Sequence, residues 1–302
     1  MQAAVETSPL PSASELEFIR EYAGRRNAFF GFREEPFSNT PDPDFFFMSA
    51  GHREALYSLL FGIQERRGFL VIAGEIGAGK TTLSRLLLRH LPADVKTAFV
   101  LNPKMPAAAM LAGIVRDFGI QEKMRTKSAC FSALQKFLME GAERSKNAVL
   151  VIDEAQWLDP RVLEELRMLS NLETVKQKLL QIVLIGQPEL KEKLSQPALL
   201  QMRQRIGLFL HLRAMSAAET REYIFHRLSC ASGGQVKISL DDELLQNIHR
   251  MSRGIPRLIN SLCDRVLMAA YFSGTAQLTA AIAAKALEEM SFVCSQFGEV
   301  NA

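Results

Sequence analysis

The sequence predicts an α/β fold, a parallel sheet sandwiched by helices, followed by a small all-helical domain. Three observations predict it. Short apolar runs that read as buried strands alternate with helical periodicity from residue 51 to residue 212. One of these runs, FLVIA at 69–73, opens directly into a glycine-rich turn, GEIGAGKTT at 74–82, and then a helix. After residue 213 only helical periodicity remains.

In chain order, residues 1–28 read as a flexible leader, because their first half is rich in Ser, Pro and Ala. Residues 29–48, FFGFREEPFSNTPDPDFFFM, carry too much aromatic surface to stay solvated and too many prolines for regular structure. They predict an ordered, irregular wrap belonging to an α/β domain that runs from 29 to 213. GHREALYSLLFGIQERR predicts a helix, FLVIA a strand, TTLSRLLLRHL a helix and KTAFVLN a strand. Helices are expected over 106–119 and 128–145, then the strand AVLVI at 148–152. PRVLEELRMLSNL is helical with proline in its first turn. LLQIVLIG at 179–186 and IGLFLHL at 206–212 complete five strands. A helical domain over 214–292 follows, with helices in SAAETREYIFHRLS, DDELLQNIHRMS, PRLINSLCDRVLMAAYF and AAIAAKALEEM, and a tail at 293–302.

Composition removes several classes of function. The 302 residues are 48% hydrophobic and 23% charged, an ordinary soluble-domain balance. A net charge of +3 is too small to imply nucleic acid without local clusters. Cys130, Cys230, Cys263 and Cys294 form no CxxC pair, which predicts reduced core thiols in a cytosolic protein. His52, His90, His211, His226 and His249 lack HExxH spacing, so they suggest no metal site. The N-terminus is not that of a signal peptide. The most apolar stretch, VLMAAYF, is far short of the ~18 residues that a spanning helix requires. A membrane role is expected only through partners.

GEIGAGKT fits GxxxxGK[ST] between a predicted strand and a predicted helix, the context that gives this motif its meaning. Its glycines let backbone N–H groups turn toward phosphates, and the following helix adds its positive end. Gly74, Glu75, Ile76, Gly77, Ala78, Gly79, Lys80, Thr81 and Thr82 are the candidate phosphate-binding residues. Lys80 would reach the β and γ phosphates, and the Thr81 hydroxyl would ligate Mg²⁺. AVLVIDEAQ brings Asp153 and Glu154 out at the C-terminal end of a buried strand, where open α/β sheets bind ligands. Asp153 would join Thr81 at the Mg²⁺, and Glu154 would orient and deprotonate a water aimed at the γ-phosphate. LLQIVLIG ends on Gln187, a polar residue positioned for that same water or phosphate. Arg203 and Arg205 precede the fifth strand, while Arg253 and Arg257 lie near a helix start. No NKxD is present for guanine. CASGGQ at 230–235 imitates a transporter signature but follows the Asp-Glu strand, so it reads as a glycine turn closing a helix. QEKMRTKSA carries Lys123, Arg125 and Lys127 in an inter-helix loop, the best candidate feature for DNA.

FREEPFSNTPDPDFFF, GEIGAGKTT, VIDEAQ, GQPEL, RQRI and GIPRLIN together resemble an AAA+ ATPase. The narrower resemblance is to the general secretion pathway protein A (ExeA-type) family, related to TniB/TnsC-like ATPases. It spans roughly residues 29–290. The resemblance implies a P-loop NTPase with ATP and Mg²⁺ as cofactors, a 5-1-4-3-2 sheet and a helical lid. It maps Gln187 to sensor 1, Arg257 to sensor 2, and Arg205, with Arg203 second, to an arginine finger reaching a neighbouring subunit. It also implies that the wrap and the helix from Gly51 border the adenine. ExeA-type proteins continue into a transmembrane segment and a peptidoglycan-binding region, whereas this sequence stops at Ala302, so direct cell-wall binding is not expected. The implied protein is a homo-oligomeric, ATP-hydrolysing enzyme, cytoplasmic and peripheral to the inner membrane. It would serve assembly of a secretion, pilus or exopolysaccharide apparatus through a membrane-associated partner. The alternatives are a DNA-binding regulator of transposition and a nucleotide-dependent interaction switch with little turnover.

Overall fold

The computed structural model describes residues 13–40, 42–121, 126–144, 146–175 and 177–295. Helix α1 spans Ala13–Phe30 and α2 spans Ala50–Gln64, followed by β1 (Phe69–Gly74), α3 (Lys80–His90) and β2 (Lys96–Val100). Then come α4 (Ala107–Asp117), α5 (Lys127–Glu143), β3 (Ala148–Ile152), α6 (Pro160–Leu169) and β4 (Leu180–Gly186). Two short helices, α7 (Glu189–Ser195) and α8 (Leu200–Arg203), precede β5 (Ile206–Leu212). The remainder is α9 (Ala217–Ser232), β6 (Ser239–Leu240), α10 (Asp242–Ser252), α11 (Pro256–Phe272), β7 (Gln277–Leu278) and α12 (Ala280–Ser295). Among the described residues no helix is long and apolar enough to cross a membrane. The described residues form two compact units, an α/β unit of Met48–Met215 with Ile255–Arg257, and a helical unit of the remaining ones.

In the α/β unit the five strands are parallel in the order β2-β3-β4-β1-β5, the expected 5-1-4-3-2 sheet read from its other edge. Strands β1, β3 and β4 are buried along their whole length, which is why each reads as an unbroken apolar run. The period of two divides their side chains between two cores. Val71, Leu150, Ile152, Ile182 and Leu184 pack with α4, α5 and α6. Leu70, Ile72, Val149, Val151, Val183 and Ile185 pack with α2 and α3. The edge strand β5 instead alternates half-buried and exposed residues along most of its length. All five strands run toward one end, so the turns after β1, β3 and β4 come together there.

The helical unit corrects three expectations. Residues 13–28 of the expected flexible leader are helical, in α1; residues 1–12 lie outside the described residues. Residues 29–47 of the aromatic wrap belong to the helical unit, not to the α/β domain. The reason is burial: Phe30, Phe32, Phe37 and Phe45 are all less than a tenth exposed, and the backbone of this segment is held by side chains of α9 and α11. Arg227 of α9 donates from Nε to the Pro36 carbonyl at 2.6 Å and from Nη2 to the Ser38 carbonyl at 2.9 Å. Its guanidinium stacks over Phe45 at 4.8 Å. Asn260 of α11 donates to the Ser38 carbonyl and accepts from the Tyr223 hydroxyl. Thirdly, strands do not stop after 213, since β6 and β7 form a small parallel pair. In the tail, α12 continues to Ser295, and residues 296–302 lie outside the described residues. CASGGQ closes α9 as expected, with Gly233 in the left-handed region at φ 62.

Arg227 is 7% exposed, and truncating it would take the donor from the buried Pro36 carbonyl and one of two donors from the Ser38 carbonyl. Arg227→Ala should lower the unfolding free energy by about 2–3 kcal/mol, read from the denaturant midpoint. Arg227→Lys should recover only part of it, lacking the planar fork.

Candidate functional site

The turn after β1 takes its shape from two left-handed residues, Gly77 at φ 80 and Gly79 at φ 87, a conformation that only glycine adopts without cost. Space enforces the same choice. A Cβ on Gly77 would lie 2.5 Å from Cβ of Arg257, and one on Gly79 would lie 2.7 Å from Nε2 of His52. Both neighbours also bond to the turn. The backbone N–H of Arg257 donates to the Gly77 carbonyl at 3.3 Å. Nε2 of His52, in the first turn of α2, lies 3.0 Å from the Ala78 carbonyl oxygen. A carbonyl only accepts, so Nε2 carries the proton, and Nδ1 then accepts from the Ser49 hydroxyl at 2.6 Å. Ser49 is also the N-cap of α2. Sequence reasoning missed both residues. The available signal was a serine three residues before a histidine at a helix start.

Lys80, the first residue of α3, is 6% exposed and donates from Nζ to the carbonyls of Gly74 and Glu75, each at 2.8 Å. Burial holds its ammonium below the ordinary lysine range, with Glu154 and Asp153 pulling it partly back. Thr81 donates from its hydroxyl to Oδ2 of Asp153 at 2.7 Å, and the Glu154 N–H donates to Oδ1 at 2.9 Å. Asp153 is 1% exposed. Burial pushes its carboxyl above the usual carboxylate range, against the lowering effect of the Thr81 and Glu154 bonds. A hydroxyl paired with a buried carboxylate is a set of hard oxygen donors, the chemistry that suits Mg²⁺.

Glu154 sits in the left-handed region at φ 53, a strain of roughly 1–2 kcal/mol for a residue with a Cβ. Its Oε2 accepts from Nε2 of Gln156 at 2.6 Å and from Nε2 of Gln187 at 3.2 Å. Gln156 in turn accepts the Gln187 backbone N–H on Oε1 at 3.1 Å. Of the residues singled out in the sequence, Lys80, Thr81, Asp153, Glu154 and Gln187 therefore meet at the C-terminal ends of β1, β3 and β4. Gly74, Glu75, Ile76, Gly77, Ala78, Gly79 and Thr82 form the turn and the start of α3 around Lys80. Gln156 belongs to this cluster as well and was passed over, although VIDEAQ contains it.

The arginines are distributed otherwise. Arg257 touches the glycine turn through its backbone and Cβ. Arg253 is the C-cap of α10, at φ 51. Arg203 donates to the Ser195 carbonyl. Arg205 lies at the opposite end of the sheet, just before Ile206, which pairs with the first residue of β1; the six residues of β1 put that end about 20 Å from the glycine turn. There it lines a cavity of about 640 Å³ with Arg67, Arg167 and Lys178. In the basic loop, Lys123 and Arg125 lie outside the described residues, and Lys127 is paired with Glu165.

The pattern of the family described as AAA domain matches residues 63–194, the stretch that carries the glycine turn, Asp153, Glu154 and Gln187. The chain is also 44% identical over 248 residues to general secretion pathway protein A of Aeromonas hydrophila, covering 82% of this chain and 45% of that protein. Residues 63–194 are an AAA domain. The chain is 25% identical over 234 residues to the Holliday junction branch migration complex subunit RuvB of Chlorobaculum tepidum, covering 73% of this chain and 57% of that one. It thus spans about half the length of the curated relatives it matches. Among solved structures, Cdc6p from Pyrobaculum aerophilum superposes with a TM-score of 0.63 at 19% identity, over 85% of this chain and 71% of that one. At that identity the likeness concerns the AAA+ fold alone. An AAA domain implies nucleotide binding.

The His52 contact predicts a measurable share of that binding. His52→Ala should weaken nucleotide affinity about fivefold to tenfold, the loss of one net hydrogen bond, in a titration with fluorescent nucleotide. An affinity equal to the parent's would mean that the turn holds its shape without the imidazole.

Proposed function

We propose that the protein is an Mg²⁺-dependent ATPase. The observation that carries this reading is the convergence of Lys80, Thr81, Asp153, Glu154 and Gln187 at one end of the sheet. An ammonium has three donors. Two of Lys80's hold the carbonyls of Gly74 and Glu75, which leaves one for a β- or γ-phosphate oxygen. The N-terminus of α3 and the turn's N–H groups add positive potential there. Thr81 and Asp153 would hold the magnesium ion, which supplies neutralisation of phosphate charge. Glu154 orients the attacking water and takes its proton, and the Gln187 amide lies beside that carboxylate as the sensor of the γ-phosphate. Arg257, whose first side-chain carbon packs on the turn from within the α/β unit, would be the residue that answers to the nucleotide.

On this reading Arg205 completes the site of a neighbouring copy. It stands a sheet's length from its own turn, is half-buried, and its guanidinium makes no hydrogen bond or ion pair among the described residues. The likeness to general secretion pathway protein A supports a homo-oligomer that couples nucleotide state to assembly of a secretion, pilus or exopolysaccharide apparatus. It would act from the cytoplasmic face, peripheral to the inner membrane, through a membrane-associated partner.

Lys80→Ala should abolish nucleotide binding. Glu154→Gln should retain binding and lose turnover by roughly 10²-fold or more, measured by phosphate release against nucleotide titration. Hydrolysis by Glu154→Gln at the parental rate would refute the assignment of the base. Turnover per subunit should rise with protein concentration in the parent chain, and Arg205→Ala should remove that rise, since a cation supplied in trans is worth ~10³-fold or more. A constant turnover across a wide dilution series would refute the trans role.

A further inference from the structure

We infer that Gln156 is a positioning residue that ties the γ-phosphate sensor to the catalytic carboxylate; the inference rests on the ATPase reading above. Its amide can be oriented in one way only. The Glu154 carboxylate accepts and the Gln187 backbone N–H donates, so Nε2 faces the first and Oε1 the second. With the Gln187 side chain donating to the same Glu154 oxygen, three residues close a ring of hydrogen bonds. Glu154 and Gln156 follow β3, while Gln187 follows β4, so the ring stitches the ends of two neighbouring strands.

The surroundings keep this ring in one arrangement. Gln156 is 6% exposed, and a buried amide that loses a partner carries the full cost of desolvation. Lys193 donates from Nζ to the carbonyls of Gln156 and Leu158, holding the turn from beneath. A Cβ at position 186 would lie 2.9 Å from Oε1 of Gln156, so Gly186 gives the amide its room.

The ring has a chemical consequence. Both amide donors converge on Oε2 of Glu154, which leaves Oε1 as the oxygen open to a water. Gln156 grips Gln187 by its backbone and Glu154 by its carboxylate. A movement of Gln187 toward a phosphate therefore reaches Glu154 by two routes, directly from its own amide and from its backbone through Gln156. A glutamine that merely closed the end of β4 would have no reason to donate to the carboxylate of Glu154 as well.

The test uses the full chain with two substitutions. Gln156→Met keeps the shape and removes both hydrogen bonds. Gln156→Glu keeps the acceptor for Gln187 and faces Glu154 with a second carboxylate. Both should lower kcat by roughly 10- to 100-fold, the effect of a misplaced catalytic group, with KM for ATP within about threefold of the parent. Gln156→Met combined with Gln187→Ala should lose little more than the worse single variant, because both cut the same relay. Trp157, the only tryptophan in the chain and 56% exposed, is the next residue, so its emission reports whether the turn is intact. If Gln156→Met does not fold, Gln156→Glu carries the test. Folded variants with parental kcat, or losses that multiply in the double variant, overturn the inference alone. A parent chain that hydrolyses no ATP at any concentration overturns the ATPase reading and this inference with it.

Discussion

Two consecutive carbonyls, those of Gly77 and Ala78, are gripped from outside the glycine turn, one by the backbone of Arg257 and the other by the ring of His52. The rest of the site depends on that double hold. A glycine-rich segment has more backbone entropy to lose than any other, and left alone it would sample many shapes. The grip selects one of them. It also explains why the turn cannot accept a methyl group at either left-handed position, and it fixes where α3 begins. From that starting point Lys80 falls beneath the turn and Thr81 falls against Asp153. The hold on Ala78 is itself supported, since Ser49 donates to Nδ1 of His52 and keeps the ring aimed at the carbonyl while capping the same helix.

The cluster is costly to the folded chain. Lys80 and Asp153 are both removed from water, and burial displaces each toward its neutral form. Glu154 adds a strained backbone to that cost. Such features persist only where the surroundings over-determine them, and here a fully buried sheet supplies the surroundings. Strands β1, β3 and β4 contribute two continuous cores, worth far more than the few kcal/mol held in the turns above them.

The parts of this molecule legible in the sequence are those whose causes are local. Strands β1, β3 and β4 betray themselves as apolar runs because both faces are covered, and the glycine turn because its spacing is dictated by geometry within a few residues. The parts that escaped have distant causes. Helix α1 looked like a leader because what orders it lies far off, Arg26 pairing with Asp264 at the other end of the chain. The aromatic wrap was recognised as ordered, yet nothing local could say that Arg227 and Asn260 would hold it. Strands β6 and β7, two residues each, are too short for any period to register. His52 was weighed only against metal-binding spacings, a test blind to a histidine that serves one carbonyl. Gln156 lay inside a motif read for its acids, and its role emerges only once β3 and β4 are adjacent.

The helical unit is assembled from the two ends of the chain, and this bears on its birth. Pro36 and Arg227, which bond directly, are separated by 191 positions. At a synthesis rate of about 5–20 residues per second, the N-terminal segment waits roughly 10–40 s on the ribosome before α9 emerges. During that interval Pro36, Ser38 and Phe45 lack Arg227, while strands β1 to β5 can already pair. During synthesis the aromatic segment 29–47 therefore stays exposed until the residues that hold it, Arg227 and Asn260, have been made.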